Sequence, residues 1–282
     1  VSFAGAATID GSEHMRARTN LRGFAIGMAI ALAALVVAPA RALDVWVDDC
    51  AGTGTGTIGD PYCKIQTALC AIKLIGGVVN VLPGTYNESI RIPADVQVIS
   101  TDGPAVTTIN GTGKPCVGGD YCTLGFQPAC SSVVFPTDTG SNSRIEGVHI
   151  TNSFGGIDRS WGAVVGAGIT VYDASPTITR NEIVGNVVNH ATYKLFYGGG
   201  IYIQATYPTE PARPVITTNL IQGNVVDPPN GTTFAFSEGN GAGIYAGYNS
   251  APTITANTFI GNRAGDPLKP SQKCGGGGLA AY

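Results

Sequence analysis

The chain has 282 residues, of which 40 are glycine and only 12% are charged. Charge at about half the usual ~25% argues against a helical domain and for a long stack of turns. A net charge of −3 with 16 Lys and Arg excludes a basic field for nucleic acid, so no nucleic-acid partner is expected.

Residues 1–42 read as an upstream stretch followed by a secretory signal peptide. Met15-Arg-Ala-Arg18 opens a basic segment, residues 24–37 are apolar or small, and Ala40-Arg41-Ala42 offers a small-x-small cleavage site. The apolar run falls short of the ~20 residues a membrane span needs, so no permanent span is expected. The mature chain is expected to start near Leu43, secreted or at the cell surface.

Residues 43–135 form the N-terminal cap and first coils. Residues 44–48 read as a strand and are followed by a Gly/Thr loop. Ile65, Leu69, Ile72 and Leu74 or Ile75 recur at helical spacing, which predicts an amphipathic helix of about three turns. Such a helix would shield the open bottom of a stacked fold. Residues 78–82, 88–92, 96–100 and 106–110 then read as strands, with Pro83-Gly-Thr-Tyr86 as a turn between two of them.

Residues 136–282 are dominated by one phrase in three copies, beginning at Pro176, Pro214 and Pro252 with a constant spacing of 38 residues. The first copy reads Pro176-Thr-Ile-Thr-Arg-Asn-Glu-Ile-Val-Gly-Asn186. Between copies runs a glycine cluster with a short strand, as in Gly198-Gly-Gly-Ile-Tyr-Ile203 and Gly241-Ala-Gly-Ile-Tyr-Ala246. Short β-type runs at a fixed period predict one unit stacked on itself: all-β, a right-handed, single-stranded parallel β-helix. Ile178, Ile216 and Ile254 are expected in one interior column, and Ile183, Ile221 and Phe259 in another. Asn181, Asn219 and Asn257 form one asparagine column at a turn; Asn186, Asn224 and Asn262 form a second. An earlier, less regular coil includes Ile145 and Ile150. There Val148 occupies the asparagine position, so that ladder is expected to begin one coil later. The sequence stops at Tyr282 where another phrase should follow, and it is read as a fragment with an incomplete repeat array.

Seven cysteines without paired C-x-x-C spacing fit disulfides in an exported protein better than zinc. Cys50 with Cys63 is the preferred pair because it closes the loop of residues 53–59. Cys70 is left to reach the cluster Cys116, Cys122 and Cys130, and Cys274 is the odd cysteine. Asp48, Asp49 and Asp60 around the same loop could supply oxygen ligands to calcium, the one cofactor entertained, while a solvated turn is the preferred explanation.

The insertions between the second asparagine column and the next glycine cluster leave the coil at one corner. They should stack into a single loop face, the place where binding resides on a rigid scaffold. Trp161, Tyr197 and Phe236 there suit the apolar faces of sugars, and Asp158 and Glu238 suit hydroxyls. Trp161, Tyr193, Tyr197 and Phe236 are expected to line one continuous channel. A catalytic set for β-elimination of a uronic acid polymer is also present. His190 or Lys194 would take the proton, Tyr193 would protonate the leaving oxygen and Arg159 would neutralise the substrate carboxylate. Hydrolysis would instead use two carboxyls, such as Asp158 and Glu238, about 5–9.5 Å apart. Aromatic loop packing with no ligand is the structural alternative for all of them.

Asp60-Pro-Tyr62, Ile65-Gln-Thr-Ala-Leu69 and Val79-Asn-Val-Leu-Pro-Gly-Thr-Tyr-Asn-Glu88 resemble the opening of secreted bacterial proteins of the pectin lyase-like superfamily. The repeats resemble that superfamily's parallel β-helix repeats, and together the two cover nearly all of residues 43–282. The resemblance implies the fold and not an activity, because the superfamily holds lyases, hydrolases, esterases, epimerases and adhesins. Gly84, Tyr86 and Glu88 match the Gly-x-Tyr-x-Glu turn of pectinesterases, but the catalytic Gln-Ala and Asp-Phe-(Ile/Val)-Phe-Gly phrases of that family are read as absent, so its activity is not carried over. The motif sets of polygalacturonases, pectate lyases and alginate epimerases are not present either, and Glu88 is expected to be a strand-edge residue. The expected partner is a polysaccharide or cell-surface glycan, bound and, in the catalytic arrangement, cleaved. The alternative is a non-catalytic surface, adhesion or spacer protein. The sequence sets no oligomeric state.

Overall fold

The computed structural model describes residues 43–111, 131–137, 139–158, 162–190, 193–206, 211–228, 237–266, 268 and 272–281. Within them a parallel β-helix is formed, because each short β-run pairs in register with its equivalent one coil away. One sheet joins seven strands: Leu43–Val47, Gly77–Val81, Val96–Ser100, Arg144–Glu146, Thr177–Thr179, Val215–Thr217 and Thr253–Thr255. A second, six-stranded sheet runs from Gly84–Tyr86 to Thr258–Ile260, and a third from Ile90–Arg91 to Leu279–Ala281. The first sheet runs unbroken from the cap into the repeats, through Val98 opposite Ile145.

The expected interior columns are present. Val45, Val79, Val98, Ile145, Ile178, Ile216 and Ile254 lie in one register line. Tyr86, Ile109, Ile150, Ile183, Ile221 and Phe259 lie in a second. Most of these side chains belong to one continuous apolar core. Alternate residues on each strand point outward, as the two-residue repeat of a strand requires.

Both asparagine ladders form. Asn181 Nδ2 donates to Asn219 Oδ1 at 3.1 Å, and Asn219 Nδ2 to Asn257 Oδ1 at 2.9 Å. The second ladder repeats this through Asn186, Asn224 and Asn262, with both bonds at 3.0 Å. The first ladder starts where expected, since Val148 has no side-chain amide and its backbone amide donates to Asn181 Oδ1. The ladder asparagines do not adopt the left-handed backbone. The residue before each does, with φ of 55° at Arg180, 59° at Thr218 and 53° at Ala256. The asparagine is selected for its inward amide, and its neighbour makes the turn.

The helix Ile65–Ile72 is 8 residues long, shorter than the three turns expected. Ile65, Ala68, Leu69 and Ile72 are fully buried against the bottom of the coil, while Leu74 and Ile75 lie beyond the helix and are exposed. The helix stops because Gly76 and Gly77 must turn the chain into the strand beside Leu43. Both have positive φ, and a Cβ on Gly77 would lie 2.1 Å from the Leu43 carbonyl oxygen. Gly84–Tyr86 is a strand paired with residues 107–109, where a turn was expected; Tyr86 points into the core as the first member of its column.

Candidate functional site: a tyrosine cleft at the loop face

The insertions do stack on one another. The strands Gly156–Asp158, Ala163–Val165, Leu195–Tyr197, Ser237–Asn240 and Gln272–Gly275 form an added five-stranded sheet. Its two faces differ. Val164 and Phe196 pack with Val188, Val226, Ala167 and Ala242 in one apolar cluster. The alternate residues Ala163, Val165, Leu195 and Tyr197 pack instead with Tyr202 and Tyr245 on the outer side of the coil.

A cleft opens where that second face meets the coil. It has a volume of about 230 Å3 and is lined by Leu195, Tyr197, Tyr202, Gln204, Glu238, Tyr245 and Tyr248. Strand alternation explains its floor. In Ile201–Gln204 the two isoleucines enter the core, so Tyr202 and Gln204 face outward; Tyr245 does the same between Ile244 and Ala246. The parallel register places Tyr245 directly next to Tyr202, and their rings stack at 5.5 Å with an interplanar angle of 7°. Tyr197 stacks on the Tyr245 ring at 4.5 Å, and Tyr172 meets Tyr202 edge-on at 5.7 Å. Tyr202 and Tyr245 are nearly buried, whereas Tyr248 at the rim is 61% exposed. Gly247, between Tyr245 and Tyr248, has no room for a side chain: a Cβ would sit 2.7 Å from both Gln204 Oε1 and the Tyr245 ring.

The polar groups are fixed by their neighbours. The Tyr202 hydroxyl donates to Gln204 Oε1 at 2.8 Å. Asn240 Nδ2 donates to Glu238 Oε1 at 2.9 Å, and the Tyr197 hydroxyl approaches the same oxygen at 3.5 Å. The cleft thus offers an aromatic floor and wall, one amide and one carboxylate, the side-chain types that hold polar ligands with apolar faces.

Of the residues singled out in the sequence, Tyr197 and Glu238 are brought together here. Tyr193 is not: it packs on the apolar cluster around Phe196, on the opposite face of the added sheet from Tyr197. The four aromatics expected in one channel therefore do not share it: Tyr193 precedes the strand Leu195–Tyr197, so strand alternation does not hold it on the Tyr197 face, and it packs with Phe196 instead. His190 meets the Tyr193 ring edge-on at 4.9 Å, and Lys194 is exposed. Asp158 ends the strand Gly156–Asp158. Arg159, Trp161 and Phe236 lie outside the described residues. Tyr202, Gln204, Tyr245 and Tyr248 were missed, although the repeated Gly-Ile-Tyr phrase alternating with core isoleucines carries the signal. The reading that no Gln-Ala phrase occurs is corrected: Gln204 is followed by Ala205.

At the N-terminal end, Glu88 is not a strand-edge residue but caps the helix: its carboxylate oxygens accept the Ile65 and Gln66 amides at 2.9 and 3.0 Å. Asp49 accepts the Thr85 amide at 3.1 Å and its own amide donates to Asp48. Among the described residues no group of three or more His, Cys, Asp or Glu side chains is placed to hold a metal ion. Cys50 and Cys63 form the expected disulfide. Cys70 is also disulfide-bonded, and Cys274 is free and exposed. Among the described residues no helix is long and apolar enough to cross a membrane.

Stacked coils, a helical plug and inward asparagine ladders define the chain as a parallel β-helix protein. It belongs to the family described as "Protein of unknown function (DUF1565)", whose model matches residues 49–277. Among solved structures it is similar to a pectin methylesterase in complex with hexasaccharide VII, at 15% identity and a TM-score of 0.36, covering 77% of this chain and 66% of that one. Rice weevil pectin methyl esterase is matched at 13% identity and a TM-score of 0.40, covering 83% of this chain and 68% of that one. Carrot pectin methylesterase is matched at 11% identity and a TM-score of 0.26, covering 86% and 89%. In the pectin methylesterase–hexasaccharide complexes this chain spans just under two thirds of the other protein's length, 66%. No curated protein matches it.

Proposed function

We propose that this is a secreted or cell-surface protein that binds glycan in the tyrosine cleft. The observation that carries the reading is the pairing of an exposed ring, Tyr248, with a nearly buried tyrosine floor and two side chains, Gln204 and Glu238, held by neighbouring hydroxyl and amide groups. A sugar presents a C–H face to a ring and hydroxyls at its edge, which is the complement of this lining. The Cys50–Cys63 disulfide supports an oxidising compartment outside the cytoplasm.

The reading is one of binding. Elimination on a uronic acid polymer, with His190 or Lys194 as base, Tyr193 as acid and Arg159 as the carboxylate partner, has less support. The Tyr193 ring is engaged by the apolar cluster on the far face of the added sheet. Screening the protein on an array of plant, fungal and bacterial glycans tests the proposal. Binding should occur, and Tyr248→Ala should weaken it about tenfold, the loss of roughly 1.4 kcal/mol. Its melting temperature should stay unchanged, since the ring is mostly in solvent. A protein that ignores every glycan would leave the surface or spacer reading as the better account.

A further inference from the structure

The lining of the cleft contains a selection rule. Among the described residues Glu238 is the one charged side chain that lines it. Both of its hydrogen bonds, from Asn240 Nδ2 and the Tyr197 hydroxyl, go to Oε1. Oε2 keeps its capacity to accept. Across the floor, Gln204 is 6% exposed and its Oε1 is taken by the Tyr202 hydroxyl. What remains on that amide is the pair of Nε2 hydrogens, which can only donate.

The geometry points to a cleft built for uncharged glycosyl units and against uronates, an inference that rests on the glycan-binding reading. A carboxylate acceptor on one side and an amide donor on the other complement a sugar hydroxyl, which accepts from Gln204 and donates to Glu238. A uronate carboxylate has no proton to give Glu238 and brings a second negative charge beside it. In a partly enclosed site, like charges in contact repel strongly enough to set selectivity. The tyrosine floor adds no counter-charge: it contacts the ring's C–H face whether C6 is a hydroxymethyl or a carboxylate. Charge discrimination therefore falls to Glu238, and hydroxyl orientation to Gln204. Lys273 is the backbone register partner of Glu238 in the added sheet.

The test uses matched oligosaccharides of glucan, galactan and mannan, each with C6 as CH2OH or oxidised to carboxylate, presented to the whole protein at neutral pH. The uncharged member of at least one pair should bind at least about tenfold more tightly than its oxidised twin. Glu238→Gln keeps the acceptor for Asn240 and removes the charge. It should narrow that ratio to within a few-fold by letting the oxidised twin bind, with the melting temperature unchanged. Lys273→Ala should leave the preference as it is. Tighter binding of the oxidised twins, or a ratio unmoved by Glu238→Gln, would overturn this inference while glycan binding stood. Binding to none of the pairs and to no glycan on the wider array would overturn both.

Discussion

Glu88 and Gln66 hold the plug of the β-helix from both sides: Glu88 Oε2 accepts the Gln66 amide at 3.0 Å, and Gln66 Oε1 accepts the amide of Arg91 at 2.8 Å. The helix has no capping side chain of its own, since Lys64 at its N-cap makes no such bond. The carboxylate that satisfies its first amides comes from 22 residues downstream, where it also meets the positive end of the helix dipole. The Gly-x-Tyr-x-Glu turn is a structural device in this chain: Tyr86 fills the core and Glu88 fastens the lid.

Glu88→Ala should therefore destabilise the protein by about 1–2 kcal/mol, the usual size of a lost cap with a charge contribution. Glu88→Gln should lose less, because one amide oxygen still accepts. Urea unfolding followed by far-UV circular dichroism measures both. Equal losses for the two variants would show that the charge does not matter.

The asparagine ladders should be far less tolerant. Asn219 donates to the Ile178 carbonyl at 2.9 Å and accepts the Asn181 backbone amide at 3.0 Å, both inside the coil. Asn219→Ala leaves these two buried groups unpaired, at a cost of about 2–4 kcal/mol. Asn224→Ala should cost a similar amount in the second ladder. Asn219→Asp keeps the acceptor but sets a carboxylate oxygen against the Ile178 and Thr217 carbonyls and Asn257 Oδ1, so it should be at least as destabilising as the alanine variant in thermal denaturation.

Tyr86 gives the fold an alkaline limit. It is 2% exposed and its hydroxyl donates to the Leu82 carbonyl at 2.8 Å. Burial, and then the charges of Asp48, Asp49 and Glu88, push its phenol well above the ordinary value near 10. Above pH 10 the unfolded chain releases this proton while the folded chain retains it, so folding becomes less favourable as pH rises. The stabilisation is fully present below pH 10. Tyr86→Phe should be less stable at neutral pH by about 1 kcal/mol, yet lose less stability between pH 10 and 12. Parallel slopes for the two proteins across that range would refute the assignment.

The disulfide closes a short loop of sequence separation 13 around Cys50 and Cys63. Replacing both with serine should cost about 3 kcal/mol through the freed unfolded chain. In folded, unreduced protein a thiol reagent should label Cys274 and spare Cys50 and Cys63. Peptide mapping after labelling checks this residue by residue.

The fold was legible because its signals are periodic. Ile178, Ile216 and Ile254 recur with their asparagines at constant spacing, and only a stack places such residues in columns. The cleft was half legible. Tyr197 and Glu238 stood out as loop residues, but Tyr202 and Tyr245 were hidden inside a phrase whose isoleucines announce core. Their outward direction follows from alternation within a strand, and their contact with Tyr197 follows from how the insertion folds back over the coil. That second relation is long-range and leaves no local pattern. The misplacement of Tyr193 has a related origin: it precedes the strand Leu195–Tyr197, so alternation counted back from Tyr197 does not fix its face.

Register pairing between Pro176 and Ala264 carries a consequence for how such a molecule can change its length. Each asparagine bonds to its counterpart 38 residues away, and the same bonds recur one layer further on. The structure is thus unchanged by a shift of one whole period but not by a fraction of one. Excising residues 181–218 joins Arg180 to Asn219, an arginine–asparagine junction identical in type to the one removed, and both ladders close again. Excising five or ten residues would leave amides facing carbonyls that are not there. Growth and shrinkage in this architecture are quantised, with one coil as the smallest step.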